Sequence, residues 1–177
     1  MRYVALLRGI NVGGNAKVEM PRLKTLIEKL GCKDVSTYIN SGNVIFTDDR
    51  TDNILSEIIE NAIEKEFGFK VPIVIRDQHN IADLCRKIPI DWTNDKNLKT
   101  DVMFLWDEVD NPDILNKIKV NPDIEKAIYF KGALIWSVSR QFVTRGGGIK
   151  LIKTDVYKHM TIRNINTVRK INELLQK

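Results

Sequence analysis

Apolar residues recur along the chain with two different periods, and the alternation of these periods predicts strands and helices. Residues 3–7 are apolar throughout, which is typical of a strand buried on both faces. Residues 23–30 carry apolar side chains at helical spacing and are closed by a glycine. Two further strands, at 35–39 and 44–46, flank an Asn-Ser-Gly-Asn sequence that strongly indicates a hairpin turn.

A second helix at 55–67 and a fourth strand at 71–76 complete the order βαββαβ, which is the ferredoxin-like pattern. This topology puts the first and third strands in the middle of the sheet and the fourth strand at an edge. Pro72 agrees with the edge position, because no ladder hydrogen bond is lost there. Asp77 is a candidate cap for a short following helix, so we expect the first domain to span residues 1–88.

The second domain, residues 89–177, repeats part of this order. It begins with an apolar strand at 102–106, followed by a helix and a hairpin at 127–138. We expect its fourth strand to be missing and the chain to run through three glycines into a basic helical tail, with Asn164 as the N-cap. The predicted fold is α+β, with a ferredoxin-like N-terminal half, a degenerate βαββ half arising by duplication, and a C-terminal helix.

Composition narrows the class of protein but identifies no reaction. The hydrophobic fraction of 43% and the charged fraction of 29% are ordinary for a globular protein, and no apolar run is long enough for a membrane span. Cys32 and Cys85 fall on apolar faces, which suggests free thiols in a reducing cytoplasm. His79 and His159 stand apart without metal-ligand spacing, so we expect no metal. We also expect no cofactor, and the lack of a long apolar run argues against a membrane partner.

Charge is distributed unevenly along the chain. Residues 138–177 hold nine Lys or Arg against two Asp or Glu, a net charge of +7, whereas residues 1–137 carry −2. A basic terminal region favours a phosphorylated or polyanionic partner, including nucleic acid. A purely solubilising surface is the alternative.

The segment from residue 8 to residue 17 is the main candidate site. It contains three glycines, two amides, two cations and no carboxylate, so its backbone N–H groups and charges suit an anion. The spacing matches neither a Walker A loop nor a dinucleotide fingerprint. The ligand-binding candidates here are Arg8, Asn11, Gly13, Gly14, Asn15 and Lys17. The alternative is that the glycines only allow a tight backbone path and the amide side chains bond only to the backbone, without binding a ligand.

The hairpin turn adds Ser41 and Asn43 as ligand-binding candidates. The loop after the first strand and this turn are expected at opposite ends or diagonal corners of the sheet, so a joint site with Arg8 does not follow. The alternative is that Gly and Asn are present only because the turn needs residues that adopt a positive φ. Ser41 lacks a strand-to-helix elbow and a neighbouring His, which argues against a catalytic serine.

Two more candidates lie in the basic tail. Residues 146–148 are all glycine, and with Arg145 and Lys150 they form a flexible basic loop that either closes over a ligand or serves as a linker. Arg163, Asn164 and Asn166 are expected at a helix N-terminus, where N–H groups attract anions; simple capping is the alternative.

Three segments together resemble a known family: residues 8–17 (RGINVGGNAK), 37–46 (TYINSGNVIF) and 161–170 (TIRNINTVRK). In this order they are similar to the bacterial domain of unknown function 1697 family. The resemblance implies a cytoplasmic α+β protein with ferredoxin-like subdomains and supplies no activity. Ile162 and Ile165 depart from the family pattern, which has Thr and Trp there, and so remove an aromatic group that could stack on a base.

Three functional hypotheses remain open. The first is a binding module for a phosphate-bearing ligand or nucleic acid. The second is an enzyme acting on a small phosphorylated or anionic metabolite, for which no paired carboxylates or nucleophile stand out. The third is a structural or protein-interaction role that uses unpaired edge strands.

Overall fold

The described chain, residues 1–13, 16–151 and 154–177 of a computed structural model, divides into two units that are each built on a four-stranded antiparallel sheet. The first unit comprises Met1–Ala82 and Ile171–Lys177, and the second comprises Asp83–Lys170. Helices α3 (Gln78–Lys87) and α6 (Ile165–Leu175) contribute residues to both. Within the described residues, every helix is too short or too polar to cross a bilayer.

The first unit has the order of elements that the hydrophobic periods predict. Its elements are β1 (Arg2–Leu7), α1 (Met20–Lys29), β2 (Lys33–Tyr38), β3 (Asn43–Thr47), α2 (Asp52–Phe67) and β4 (Ile73–Asp77). The strand order β2-β3-β1-β4 confirms that the first and third strands are central and that the fourth is an edge. Pro72 comes just before β4 rather than inside it. Asp77 caps α3, since its Oδ1 accepts the N–H groups of His79 and Asn80 at 2.8 Å.

One face of the first sheet packs against α1 and α2. Leu23 and Ile27 of α1 are fully buried, as are Leu55, Ile59 and Ile63 of α2. Within each helix these residues are four positions apart, so they form a single stripe on the side that faces the sheet. Burial of each such side chain contributes about 1.5–3 kcal/mol, and the stripes therefore fix both helices on the sheet.

The second unit repeats the strand order of the first. Its elements are β5 (Leu98–Leu105), α4 (Ile114–Ile118), β6 (Glu125–Phe130), β7 (Ala133–Ser139), α5 (Gly147–Leu151) and β8 (Met160–Asn164), with 3-10 helices at Asp107–Val109, Arg140–Arg145 and Asp155–His159. The order β6-β7-β5-β8 matches β2-β3-β1-β4 strand for strand. This match supports the duplication that the sequence suggests and confirms the α+β class.

The expectation that the second unit lacks its fourth strand is wrong. β8 pairs antiparallel with β5, with Leu105 opposite Met160 and Asp101 opposite Asn164. Met160 lies in the hydrophobic core and Ile162 packs against it, whereas the polar Thr161 and Arg163, which alternate with them, are also buried. Only two apolar residues mark the core side of this short strand, and it runs directly into α6, so its pattern did not stand out from the start of the helix.

The three glycines at 146–148 are not a flexible loop. All three are buried, and α5 begins at Gly147. A Cβ at Gly146 would lie 2.9 Å from Cζ2 of Trp136, and one at Gly148 would overlap the same indole. Glycine is therefore required here for close packing, and the prediction of a flexible basic loop is corrected to a packed turn that leads into a short helix.

Candidate functional site

The end of β1 and the hairpin turn before β3 lie side by side. The N–H of Leu7 donates to the carbonyl of Gly42 at 2.8 Å. The prediction that the loop with Arg8 and the turn with Ser41 lie at opposite ends or diagonal corners is therefore wrong. In an antiparallel pair the end of one strand is next to the start of its neighbour, so both segments meet at one end of the first sheet.

Asn11 connects the loop to the turn. Its Nδ2 donates to the carbonyls of Asn40 and Val18, each at 2.9 Å, and its Oδ1 accepts the N–H of Val18 at 2.9 Å. The N–H of Asn11 donates to the carbonyl of Ala16 at 3.1 Å. Its φ of 55° is one that Asn adopts more readily than most residues. Because both amide hydrogens have partners within the protein, the Asn11 side chain sets the shape of the loop.

The hairpin turn packs closely against β1. Gly42 has a φ of 79°, and a Cβ added there would lie 2.7 Å from Cβ of Leu7. Asn43 is fully buried, and its Nδ2 donates to the carbonyl of Tyr38 at 2.9 Å and to Oγ of Ser41 at 3.2 Å. These hydrogen bonds hold the turn together. Ligand contacts of Ser41 and Asn43 stay predictions.

A cleft of about 580 Å³ opens between the loop, the turn and the start of α1. It is lined by Asn11, Lys17, Val18, Glu19, Met20, Pro21 and Asn40. Along this stretch Lys17 and Glu19 are exposed, whereas Val18 and Met20 are buried. Side chains alternate between two sides of an extended segment, so Lys17 and Glu19 project to the side away from the core.

The two charged side chains that line the cleft have no ion-pair partner within the described part of the chain. Neither the Lys17 ammonium nor the Glu19 carboxylate forms an ion pair with a residue in 1–13, 16–151 or 154–177. Glu19 is the N-cap residue of α1, yet its side chain makes no capping hydrogen bond. Both charged groups are consequently accessible to a ligand.

The remaining loop candidates lie apart from this cleft or outside the described residues. Arg8 is half-buried, its N–H donates to the carbonyl of Pro72 at 2.9 Å, and it is not among the residues that line the cleft. Gly13 is exposed and has a φ of 64°. Gly14 and Asn15 lie outside the described residues.

The tail candidates belong to the second unit, and most of their polar groups bond within the fold. Arg163 is buried in β8 rather than at a helix N-terminus, and its Nη1 donates to Oγ1 of Thr161 at 2.9 Å. Burial lowers the pKa of Arg163 to about 10, so it remains protonated at neutral pH. Asn164 is the N-cap of α6, as predicted, and accepts the N–H of Thr167 at 3.0 Å. Asn166 donates to the carbonyl of Asn94 at 2.9 Å.

Glu125 is a structurally important residue that the sequence analysis did not single out. Its buried carboxylate accepts Nε1–H of Trp136 at 2.5 Å, the N–H of Gly147 at 2.7 Å and the N–H of Asn121 at 2.8 Å. Arg145 and Lys150, on either side of the glycines, are exposed. Glu125 thus holds the segment between these two cations against β7. A glycine triplet together with a Trp on the preceding strand is the sequence signal for such packing.

Comparisons with known proteins identify relatives but no activity. A family model described as "Protein of unknown function (DUF1697)" matches residues 1–136. The chain is also similar to the solved structure of the conserved bacterial protein SP0830 from Streptococcus pneumoniae, with 29% identity, a TM-score of 0.85 and coverage of 98% of each chain. A search of curated proteins finds no match.

Proposed function

The chain belongs to the DUF1697 family of proteins of unknown function, and we propose that it is a binding module for a small phosphate-bearing ligand held in the cleft beside Lys17. The observation that carries the proposal is the exposed Lys17 ammonium, which has no ion-pair partner among the described residues and stands at the wall of a cleft. The cleft volume of about 580 Å³ suits a small molecule.

The hydrogen bonds of Asn11 support this proposal, because they fix the segment that carries Lys17. Val18 is held through both its N–H and its carbonyl by the Asn11 amide. A side chain on a fixed backbone loses less entropy when it contacts a ligand, so it contributes more to affinity.

The second unit has the same contact between the end of its first strand and its hairpin turn, so this end of the two sheets can be compared. The N–H of Leu105 donates to the carbonyl of Gly132 at 3.0 Å, which repeats the bond between Leu7 and Gly42. In the segment that follows β5, Asp110 accepts the N–H of Gly132 at 2.9 Å. The segment around it, residues 107–113, contains four acidic residues and no cation. Such a segment repels phosphate, so the corresponding end of the second sheet does not favour an anionic ligand.

Recognition of nucleic acid on the first sheet is less well supported. Sheets that read single-stranded RNA present exposed aromatic residues on their central strands. The aromatic residues of β1 and β3 are Tyr3 and Phe46, and both are buried in the core, with ring centroids 5.9 Å apart. An enzyme acting on a phosphorylated metabolite is consistent with the same cleft, but no described feature of it favours a reaction over binding.

Thermal denaturation with added ligand tests the proposed function. Phosphate monoesters and nucleotides would be titrated at constant ionic strength against the wild type, Lys17→Ala and Lys65→Ala. Lys65 is an exposed cation on α2 and does not line the cleft, so its removal is the matched change in charge. A ligand at one hundred times its Kd stabilises the folded state by about 2.7 kcal/mol.

We expect this stabilisation to be lost in Lys17→Ala and kept in Lys65→Ala. If both variants keep it, or if no phosphate compound stabilises the wild type, the proposed function is refuted. A parallel titration with single-stranded and duplex oligonucleotides at two salt concentrations tests nucleic acid, whose binding must weaken steeply with salt.

A further inference from the structure

The cleft presents opposite charges side by side, and this pairing restricts the chemistry of its ligand. Lys17 and Glu19 are separated by one residue in an extended segment, and the intervening Val18 is buried. Residues two apart in an extended chain have Cα atoms about 7 Å from each other, with side chains on the same side. The wall of the cleft therefore carries a cationic and an acidic residue whose Cα atoms are about 7 Å apart.

The backbone that carries the two charged residues is fixed by hydrogen bonds that do not involve the Lys17 or Glu19 side chains. The Asn11 amide bonds to both backbone groups of Val18, at 2.9 Å each, and also to the carbonyl of Asn40. Glu19 is held from its other side as well, because its carbonyl accepts the N–H of Leu23 at 2.9 Å in the first turn of α1. A ligand thus meets two charged side chains on a preformed backbone.

A simple anion makes poor use of this pair. The Lys17 ammonium attracts a phosphate, but the Glu19 carboxylate repels it across the same short distance. A ligand that also carries hydrogen-bond donors gains from both groups, since a carboxylate accepts O–H and N–H donors and a charged acceptor strengthens such bonds. The Glu19 side chain makes no capping bond to α1, so the carboxylate is available for this role.

We infer that the ligand is a polyhydroxylated phosphate monoester, the chemistry of a sugar phosphate or a nucleoside monophosphate. The Lys17 ammonium donates to its phosphate oxygens, and the neighbouring Glu19 carboxylate accepts from a ligand hydroxyl. This inference rests on the proposed function and adds to it a second group that selects among phosphate compounds. Glu19 acts as a specificity-determining residue, whereas Lys17 provides the affinity for phosphate.

Isothermal titration calorimetry with two probes tests the inference. Ribose 5-phosphate carries both the phosphate and hydroxyl groups, and ethyl phosphate carries the phosphate alone. For the wild type we expect ribose 5-phosphate to bind about tenfold more tightly, the effect of one hydrogen bond to a charged acceptor. In Glu19→Gln this preference should fall toward one, while ethyl phosphate binds more tightly because the repulsion is gone. Glu57→Gln, an exposed carboxylate on α2, is the control and should keep the wild-type preference.

The outcomes separate the two proposals. If the wild type binds neither probe, or if binding does not depend on Lys17, the proposed function itself fails. If both probes bind through Lys17 with equal affinity, or if Glu19→Gln leaves their ratio unchanged, the role of Glu19 is overturned and the phosphate-binding function stands. Loss of the preference in Glu57→Gln as well as in Glu19→Gln also overturns it, because the effect is then one of net charge.

Discussion

Replacement of Gly42 by alanine tests whether the contact between the hairpin turn and β1 is sterically required. Gly42 has a φ of +79°, where an L-residue is strained by about 1–2 kcal/mol. Its new Cβ would also lie 2.7 Å from Cβ of Leu7 and 2.8 Å from Cδ1 of Ile10, a degree of overpacking that costs about 1–3 kcal/mol. The expected loss of unfolding free energy is therefore about 2–5 kcal/mol.

Gly68 provides the matched control. Its φ of +82° is almost the same, but no atom lies within 4 Å of an added Cβ. Gly68→Ala should therefore cost only the backbone strain of about 1–2 kcal/mol. The difference between the two variants isolates the steric contact from the backbone conformation.

Urea denaturation followed by far-ultraviolet circular dichroism measures both variants. Tryptophan fluorescence alone is unsuitable, because all three tryptophans, at positions 92, 106 and 136, lie in the second unit. Equal losses for Gly42→Ala and Gly68→Ala would refute the reasoning, since Leu7 and Ile10 would then have moved aside without cost. A larger loss for Gly68→Ala would refute it more strongly.

Three further predictions concern single hydrogen-bonded groups. Asn11→Ala should lower the unfolding free energy by about 1–3 kcal/mol and weaken phosphate binding with Lys17 still present; unchanged affinity in calorimetry would exclude a positioning role. Glu125→Gln should shift the urea midpoint followed by tryptophan fluorescence, whereas the exposed Glu108→Gln should not, and equal midpoints would contradict the role of the buried carboxylate. The Arg50 guanidinium holds the pKa of Asp48 well below its usual range, so this pair stabilises the fold above pH of about 4 and loses that contribution as the pH falls further. Arg50→Ala should raise the Asp48 pKa in an NMR titration, and an unmoved pKa would assign the shift to another cause.

The first unit was predictable because its buried positions are apolar and follow one period per element. The stripe of Leu55, Ile59 and Ile63 on α2 leaves little choice of face. β8 was not predictable by the same means, because only Met160 and Ile162 mark its core side and the strand runs directly into α6. Local patterns identify a strand only when the alternation of apolar and polar residues is long enough to be told from the first turn of a helix.

The candidate site likewise contains residues that the sequence identifies and residues that it does not. The residue types of the loop point to Lys17 and Asn11, since cations and amides are recognisable in any context. The role that we propose for Glu19 is not visible from the sequence, because it depends on the path of the backbone between Asn11 and α1. The glycines at 146–148 gave a wrong prediction, because a run of glycines taken alone indicates a flexible segment. The Trp136 indole, which leaves no room for a Cβ at Gly146 or Gly148, shows that these glycines serve close packing.

The hydrogen bonds at Asn11 also separate the tip of the loop from its base. The bond from the Asn11 N–H to the Ala16 carbonyl and the pair with Val18 close the chain before and after the intervening residues. The entropy of such a closure grows only slowly with the number of enclosed residues. Insertions after Val12 should thus be accommodated without displacing the charged pair, which makes this position a natural place to attach a reporter group or to vary selectivity by engineering.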